Sequence, residues 1–251
     1  MGQKTIPQSL RLDHLKNWNS NWISEKSDYS KLFYFDYTLR EYITKICKKD
    51  NLNISKINIK KNNQYIEIYL SFYLYKEKKN ITEKLQKDID AYLLYLNLPF
   101  TSRVYVINNT IGNLNIKSMF YKNFKNKKKL ARINSNFYNF INTSYVAFYT
   151  QSVELISNYL IKDLKRIPKH RQYLNNINRI LIKQYNIFNN CLGYKIQLKG
   201  RVNGRERSNK IVMKSGKTPL NTLKYNVKYD YKEVLTPYGI CSLKIWLFYK
   251  N

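Results

Sequence analysis

The sequence predicts an α+β protein of two small α/β domains in series, with an N-terminal arm and a central insertion. Three observations predict it. Between residues 28 and 107, apolar residues recur first at helical and then at strand spacing, twice over. The last hundred residues carry two helical patterns and then four strand-like runs. Residues 108–149 show neither period. The segments are therefore an arm at 1–27, a first domain at 28–107, an insertion at 108–149 and a second domain at 150–251.

The arm mixes Lys4, Arg11, Lys16 and Lys26 with Trp18 and Trp22, a composition suited to docking on RNA or protein, or else to a solvated terminus. From Asp28, the residues Leu32, Phe35, Leu39, Tyr42 and Ile46 mark a helix. Ile57 and Ile59, then Ile66, Ile68 and Leu70, alternate as two strands, with Lys61–Asn63 as their turn. Asn80 and Glu83 stand as a capping box before a helix with the stripe Ile81, Leu85, Ile89 and Leu93. "RVYVI" (Arg103–Ile107) closes the unit as a strand. Helix, strand, strand, helix, strand is compatible with a type II KH module, a small RNA-binding α/β fold. The insertion is basic and studded with Tyr and Phe. That suits base stacking with phosphate contact, a solvated loop, or a protein contact. In the second domain, Val153, Ile156 and Leu160 mark one helix, and Pro168 suits the first turn of a second that runs through Leu174, Ile177 and Leu181. "GYKIQLKG", "NKIVMK", "LKYNVKY" and "CSLKIWLFY" follow as strands.

Charge narrows the function. Lys and Arg number 45 against 16 Asp and Glu, a formal net charge of +29. Such an excess repels itself in a compact monomer and calls for a polyanionic partner. The most apolar runs are too short to span a bilayer, and Ile6 stands where a myristoylation signal needs Ser or Thr, so no membrane role is expected. Nucleic acid is the expected partner. Cys47, Cys191 and Cys241 lie far apart and away from His14 and His170, which argues against a zinc site and for a reducing compartment. No secretory or transit signal is evident at the N-terminus. The abundance of Asn, Ile, Lys and Tyr, with 24 Tyr against 3 Trp, is what A- and T-rich codons encode.

Motif chemistry points away from catalysis. In "KGRVNGRERSNK" (Lys199–Lys210) the glycines Gly200 and Gly204 are too close for a phosphate-binding loop, and no Lys-Ser/Thr pair follows. The glycines serve a turn between strands, where a positive φ is needed. Neither histidine has a neighbouring nucleophile, and Asp88 and Asp90 point apart on a helix. No catalytic residue, metal, cofactor or small-molecule substrate is expected. What remains is a basic region: Arg201, Arg205, Arg207, Lys210, Lys214, Lys217 and Lys224 among strands and turns, with Lys165, Arg166, Lys169, His170 and Arg171 around a helix start. Guanidinium groups bind phosphates through two parallel hydrogen bonds, which favours docking over loose attraction.

Several segments resemble one family, the third universal protein of the small ribosomal subunit. They are "MGQKTIPQSLRL" (Met1–Leu12), "NWNSNWI" (Asn17–Ile23), "KGRVNGRERSN", "GKTPLNTLKYNVKY" (Gly216–Tyr229) and "TPYGICSLKIWLF" (Thr236–Phe248). The resemblance covers residues 1–60 and 151–251. Residue by residue, Gly200, Arg201, Gly204, Glu206, Gly216, Pro219, Leu220, Thr222, Leu223, Tyr238, Gly239, Lys244 and Trp246 match the family's motifs. It implies a KH-like domain followed by an αα-ββββ domain in the head of the small subunit. It also implies contacts to small-subunit rRNA, to neighbouring ribosomal proteins and to mRNA at the channel entrance. On that reading Lys4, Arg11, Lys16, Trp18, Arg201, Arg205, Arg207, Lys210, Lys217 and Lys224 contact rRNA, and Arg166, Lys169, His170 and Arg171 flank the mRNA. Two places depart from the pattern. The KH loop falls on "KEKK" (Lys76–Lys79), with no glycine, and the family's basic helix start falls on "HRQYLNN" (His170–Asn176), where only Arg171 matches. The codon-biased composition points to an organellar genome, and the protein is expected in a mitochondrial ribosome, with a plastid as the alternative. The rivals are a free-standing KH-type RNA regulator and an organellar endonuclease or maturase.

Overall fold

The computed structural model describes residues 5–14, 18–62, 65–74, 80–96, 101–108 and 135–250. The chain divides into two compact units, one of Asn17–Lys127 and one of Met1–Lys16 with Lys128–Asn251.

The first unit runs β1 (Ser20–Asn21), α1 (Tyr29–Lys49), β2 (Asn53–Lys61), β3 (Tyr65–Tyr73), α2 (Ile81–Tyr95) and β4 (Thr101–Asn108). Its sheet has the order β1-β2-β3-β4, with β2 and β3 antiparallel and both outer pairs parallel. Alternation along β2 and β3 sends Ile57, Ile59, Ile66, Ile68 and Leu70 to one face. There they join a core with Leu39, Ile43 and Cys47 of α1 and Leu85, Ile89 and Leu93 of α2. Each such buried aliphatic side chain contributes about 1.5–3 kcal/mol. This is the element order expected for residues 28–107.

Two local expectations differ. The buried stripe of α1 is Asp36, Leu39, Ile43 and Cys47, whereas Leu32 and Tyr42 are only partly covered. The helix is rotated because Asp36 is a buried acceptor. It receives hydrogen bonds from the Ser20 hydroxyl, from Trp22 Nε1 at 3.4 Å and from Arg40 Nε at 3.0 Å. Arg40 also donates to the Ile57 carbonyl at 2.8 Å and the Asn19 carbonyl at 2.7 Å, which fastens the segment around β1 to the sheet. The capping box at α2 does not form either. Asn80 takes a left-handed conformation (φ 65°) and makes no side-chain cap.

The second unit runs α3 (Ser135–Tyr149), α4 (Val153–Leu164), α5 (His170–Tyr185), β5 (Cys191–Gly200), β6 (Asn209–Gly216), β7 (Asn226–Thr236) and β8 (Gly239–Tyr249). The sheet order is β6-β5-β8-β7, antiparallel throughout. Tyr194, Ile196 and Leu198 of β5 and Leu243, Ile245 and Leu247 of β8 are buried on its inner face. The helices close that face: the Tyr194 hydroxyl donates to Asn178 Oδ1 of α5 at 2.7 Å, and Ser157 of α4 donates to Asp230 of β7. The four strands expected from sequence are present, although β7 starts and ends later than "LKYNVKY".

Part of the expected surface insertion is core. Within 108–149, residues 135–149 form α3, whose Phe140, Ile141, Tyr145, Val146, Ala147 and Phe148 are buried. Phe140 packs on Tyr159 of α4, and Gln184 Nε2 of α5 donates to the Ile141 carbonyl at 2.7 Å. A helix covered on most sides loses the polar face that makes its period visible. Residues 109–134 of the insertion lie outside the described residues, as do the loop Lys76–Lys79 and the residues Lys4 and Lys16.

Candidate nucleic-acid interface

The turn after β5 is shaped by its glycines. Gly200 has φ +151°, and a Cβ there would lie 2.6 Å from Cys241 Sγ and 2.9 Å from its Cα, so a side chain is excluded by packing as well as by conformation. Gly204 has φ +74° and lies against the Tyr238 ring. Val202 between them is buried and anchors the turn, while Arg201, Arg205 and Arg207 stand out of it, exposed. Arg201 Nε donates to the Arg205 carbonyl at 3.0 Å, which fixes the stem of that guanidinium and leaves its terminal nitrogens outward.

This turn is pinned to the start of α5. The Asn203 side chain accepts from the Arg171 backbone N–H at 3.2 Å, and the Asn203 N–H donates to His170 Nδ1 at 3.3 Å. Two groups of residues that are separate in the sequence thus form one cationic surface: Arg166, Lys169 and Arg171 from the approach to α5, and Arg201, Arg205 and Arg207 from the turn. All six are exposed. Among the described residues, Lys169, Arg171, Arg201, Arg205 and Arg207 form no ion pair with a carboxylate. Their charge is open to a ligand, and the helix dipole at the start of α5 adds to the positive field.

Two residues expected to touch RNA serve the interior instead. His170 is fully buried, and its Nδ1 is taken by the turn. Burial lowers its pKa below the ordinary histidine value, partly offset by the Leu164 backbone, so the ring is a neutral structural pin and not a cation facing mRNA. Arg11 is also buried, in the 3-10 segment Ser9–His14. Its guanidinium donates to the Pro7 carbonyl at 3.0 Å, the Leu220 carbonyl at 2.7 Å and the Thr222 carbonyl at 2.9 Å. Those donors hold the arm on the segment between β6 and β7 and do not reach solvent.

Lys210 continues the cationic surface onto the sheet. On the outer face of the second sheet the register sets Lys210 beside Lys199, Lys214 beside Lys195, and Lys244 beside Gln197. Lys195 lies over the Trp246 ring at 5.0 Å and Lys244 over the Tyr231 ring at 5.5 Å. Sequence reasoning missed Lys195 and Lys199. The signal was present in "GYKIQLKG", whose polar positions alternate with core ones. Lys217 and Lys224 are exposed but lie toward the other end of the sheet. The Gly193–Gly216 pair that precedes Lys217 is seven strand steps, about 24 Å, from the Gly200–Asn209 pair beside the arginine turn. Trp18 belongs to the first unit, where it lines an open hollow with Trp22, Lys61 and Tyr65.

Among the described residues no cluster of His, Cys, Asp and Glu is placed to hold a metal. The three cysteines are buried and form no disulfide. Burial pushes the Cys47 thiol up to about 12 and the Cys191 thiol up to about 11, so both stay protonated and unreactive at neutral pH. No described helix is long and apolar enough to cross a membrane.

Comparison with known proteins bears on the same region. Residues 164–247, from the approach to α5 to the last strand, match the family model described as "Ribosomal protein S3, C-terminal domain". Over 250 residues the chain is 28% identical to the small ribosomal subunit protein uS3 of Borreliella burgdorferi (strain ZS7), covering 99% of this chain and 70% of that protein. The uS3 of Borreliella afzelii (strain PKo) is 28% identical, with 99% and 71% covered. That of Borrelia turicatae (strain 91E135) is 25% identical over 261 residues, with 99% and 75% covered.

Proposed function

The chain belongs to the ribosomal protein S3 family, and from that premise we propose that it binds small-subunit rRNA through the cationic end of its second unit, as a structural protein of the small ribosomal subunit. The observation that carries the proposal is the joined surface of Arg166, Lys169, Arg171, Arg201, Arg205 and Arg207, held rigid by His170 and Asn203. A fixed array of guanidinium groups beside a helix start grips a phosphate backbone without ordering flexible side chains first. Lys199, Lys210 and Lys214 extend the contact along the sheet. The protein works by phosphate neutralisation and positioning, with no chemical step of its own.

Finer assignments follow from the same reading. The first unit serves as a KH-like domain; its helix–strand–strand–helix–strand order supports this. The sequence Lys76–Lys79, where the family's KH loop falls, has no glycine to admit a phosphate against the backbone, so its lysines act by charge alone. On that joined surface the α5 side, Arg166, Lys169 and Arg171, also faces mRNA at the channel entrance, where Arg171 is the family-matching cation, while the turn arginines hold rRNA. Neighbouring small-subunit proteins complete the setting. The ribosome is organellar, as the composition rich in Asn, Ile, Lys and Tyr favours, and we take it as mitochondrial with a plastid as the alternative.

Sedimentation of organelle lysate tests the assignment. The protein is expected to migrate with small-subunit particles and to be released from them by high salt. Migration with free protein at low salt would refute it.

A further inference from the structure

The outward face of the first sheet is built from alternate residues of three adjacent strands. Register places Lys56, Ser71 and Ile107 in one row, Asn58, Tyr69 and Tyr105 in the next, and Lys60, Glu67 and Arg103 in a third. Tyr65 follows one step beyond on β3. Among the described residues no helix of the unit covers this face, because α1 and α2 pack on the opposite one. Tyr105 remains 42% exposed and Ile107 51%.

The tyrosines stand as a row of stacked rings, with Tyr105, on the outermost described strand of the sheet, as its exposed end. Tyr69 and Tyr105 are direct partners across β3 and β4, with ring centroids 4.9 Å apart and planes 16° from parallel. Lys60 Nζ lies 5.0 Å from the Tyr69 ring centre, and the Arg103 guanidinium lies 5.0 Å from that of Tyr65. Tyr65 is about 13 Å further along β3 and also lines the hollow, of about 840 Å³, with Trp18, Trp22 and Lys61. The single carboxylate of the face, Glu67, accepts the Tyr69 hydroxyl at 3.0 Å and fixes that ring.

We infer that this face is a second RNA-binding site, a stacking platform for unpaired bases of single-stranded RNA. Tyr69 and Tyr105 form one station, Tyr65 with the Trp18 and Trp22 hollow forms another, and Lys56, Lys60, Lys61 and Arg103 take the phosphates. The inference rests on the reading of the chain as an RNA-binding protein and adds a site separate from the arginine turn. The chemistry selects the occupant. Aromatic faces interleaved with cations suit a strand whose bases are splayed out, since every base has a π-face and every linkage a phosphate. Duplex RNA keeps its bases stacked inward and offers nothing to the tyrosines. A protein partner would have to bury Lys56 and Lys60 among the tyrosines, and lysine is depleted from protein interfaces.

The test uses the full-length chain and a fluorescein-labelled uridine octamer followed by anisotropy, with an RNA duplex of equal length beside it. The double variant Tyr69→Ala/Tyr105→Ala is expected to bind the octamer about tenfold more weakly, and Tyr69→Phe/Tyr105→Phe within about twofold of the unaltered chain, because stacking needs the ring and not the hydroxyl. An octamer carrying 5-iodouridine is expected to crosslink to Tyr69 or Tyr105. Unchanged octamer affinity in the alanine variant, with circular dichroism showing it folded, overturns the platform. So does crosslinking confined to the arginine turn. Retained octamer affinity with lost incorporation into small subunits would assign the face to a protein and overturn it likewise. Failure of the unaltered chain to bind small-subunit rRNA would instead strike the functional reading itself.

Discussion

Arginines in this chain divide by where their donors go, and residue type alone does not reveal the division. Arg11 is surrounded by carbonyls from Pro7, Leu220 and Thr222 and spends its guanidinium on them. Arg205 and Arg207 stand exposed on a turn whose shape is set by Gly200, Val202 and Gly204. Replacing Arg11 therefore costs folding and not binding. Arg11→Ala should lower stability by about 2–4 kcal/mol, the loss of several charge-assisted hydrogen bonds in a buried place. The salt dependence of rRNA binding should stay as in the unaltered chain. Urea unfolding and a salt-varied RNA titration of the same variant check both halves.

At the scale of elements, the join between α5 and the turn decides whether the cations act together. His170 is its hinge pin, and its protonation is coupled to folding. Burial lowers the folded pKa, so the unfolded chain takes up the proton first, near the ordinary value of about 6.5. Stability from this group is full above that pH and falls as the pH drops toward the folded pKa. The loss is no more than about 1.4 kcal/mol per pH unit. Protonation also places a cation next to Arg171 and behind Arg201. Urea midpoints measured from pH 7.5 to 5.5 should decline more for the unaltered chain than for His170→Gln. Equal declines would remove His170 as the pin.

Elements with one clean face were legible in the sequence. The stripe Ile81, Leu85, Ile89 and Leu93 of α2 and the alternation of β2, β3, β5 and β8 each separate core from solvent, and those elements were placed correctly. Helix α3 was not, because burial of Phe140, Ile141 and Tyr145 through Phe148 leaves no polar face to set a period. The rotation of α1 is not legible in the sequence because a buried carboxylate, Asp36, takes an apolar position's place once Arg40 and Trp22 satisfy it. The arginine turn was visible as a basic strand connection. Its junction with α5 was not, since it depends on two hydrogen bonds between residues about thirty positions apart.

For the whole molecule, a net charge of +29 sets the terms. Neither unit carries enough acids to neutralise its own lysines and arginines, and the described ion pairs are few and mostly exposed, so they add little to stability. The protein is completed by a polyanion. The similarity to ribosomal protein S3 supports small-subunit rRNA as that polyanion. The most direct test is the slope of log affinity against log salt for the full chain on a small-subunit rRNA transcript, compared with Arg205→Ala/Arg207→Ala. A steep negative slope is predicted, reduced in the double variant by about 0.7–0.9 for each arginine removed. A flat slope, or one that the double variant leaves unchanged, would contradict the account.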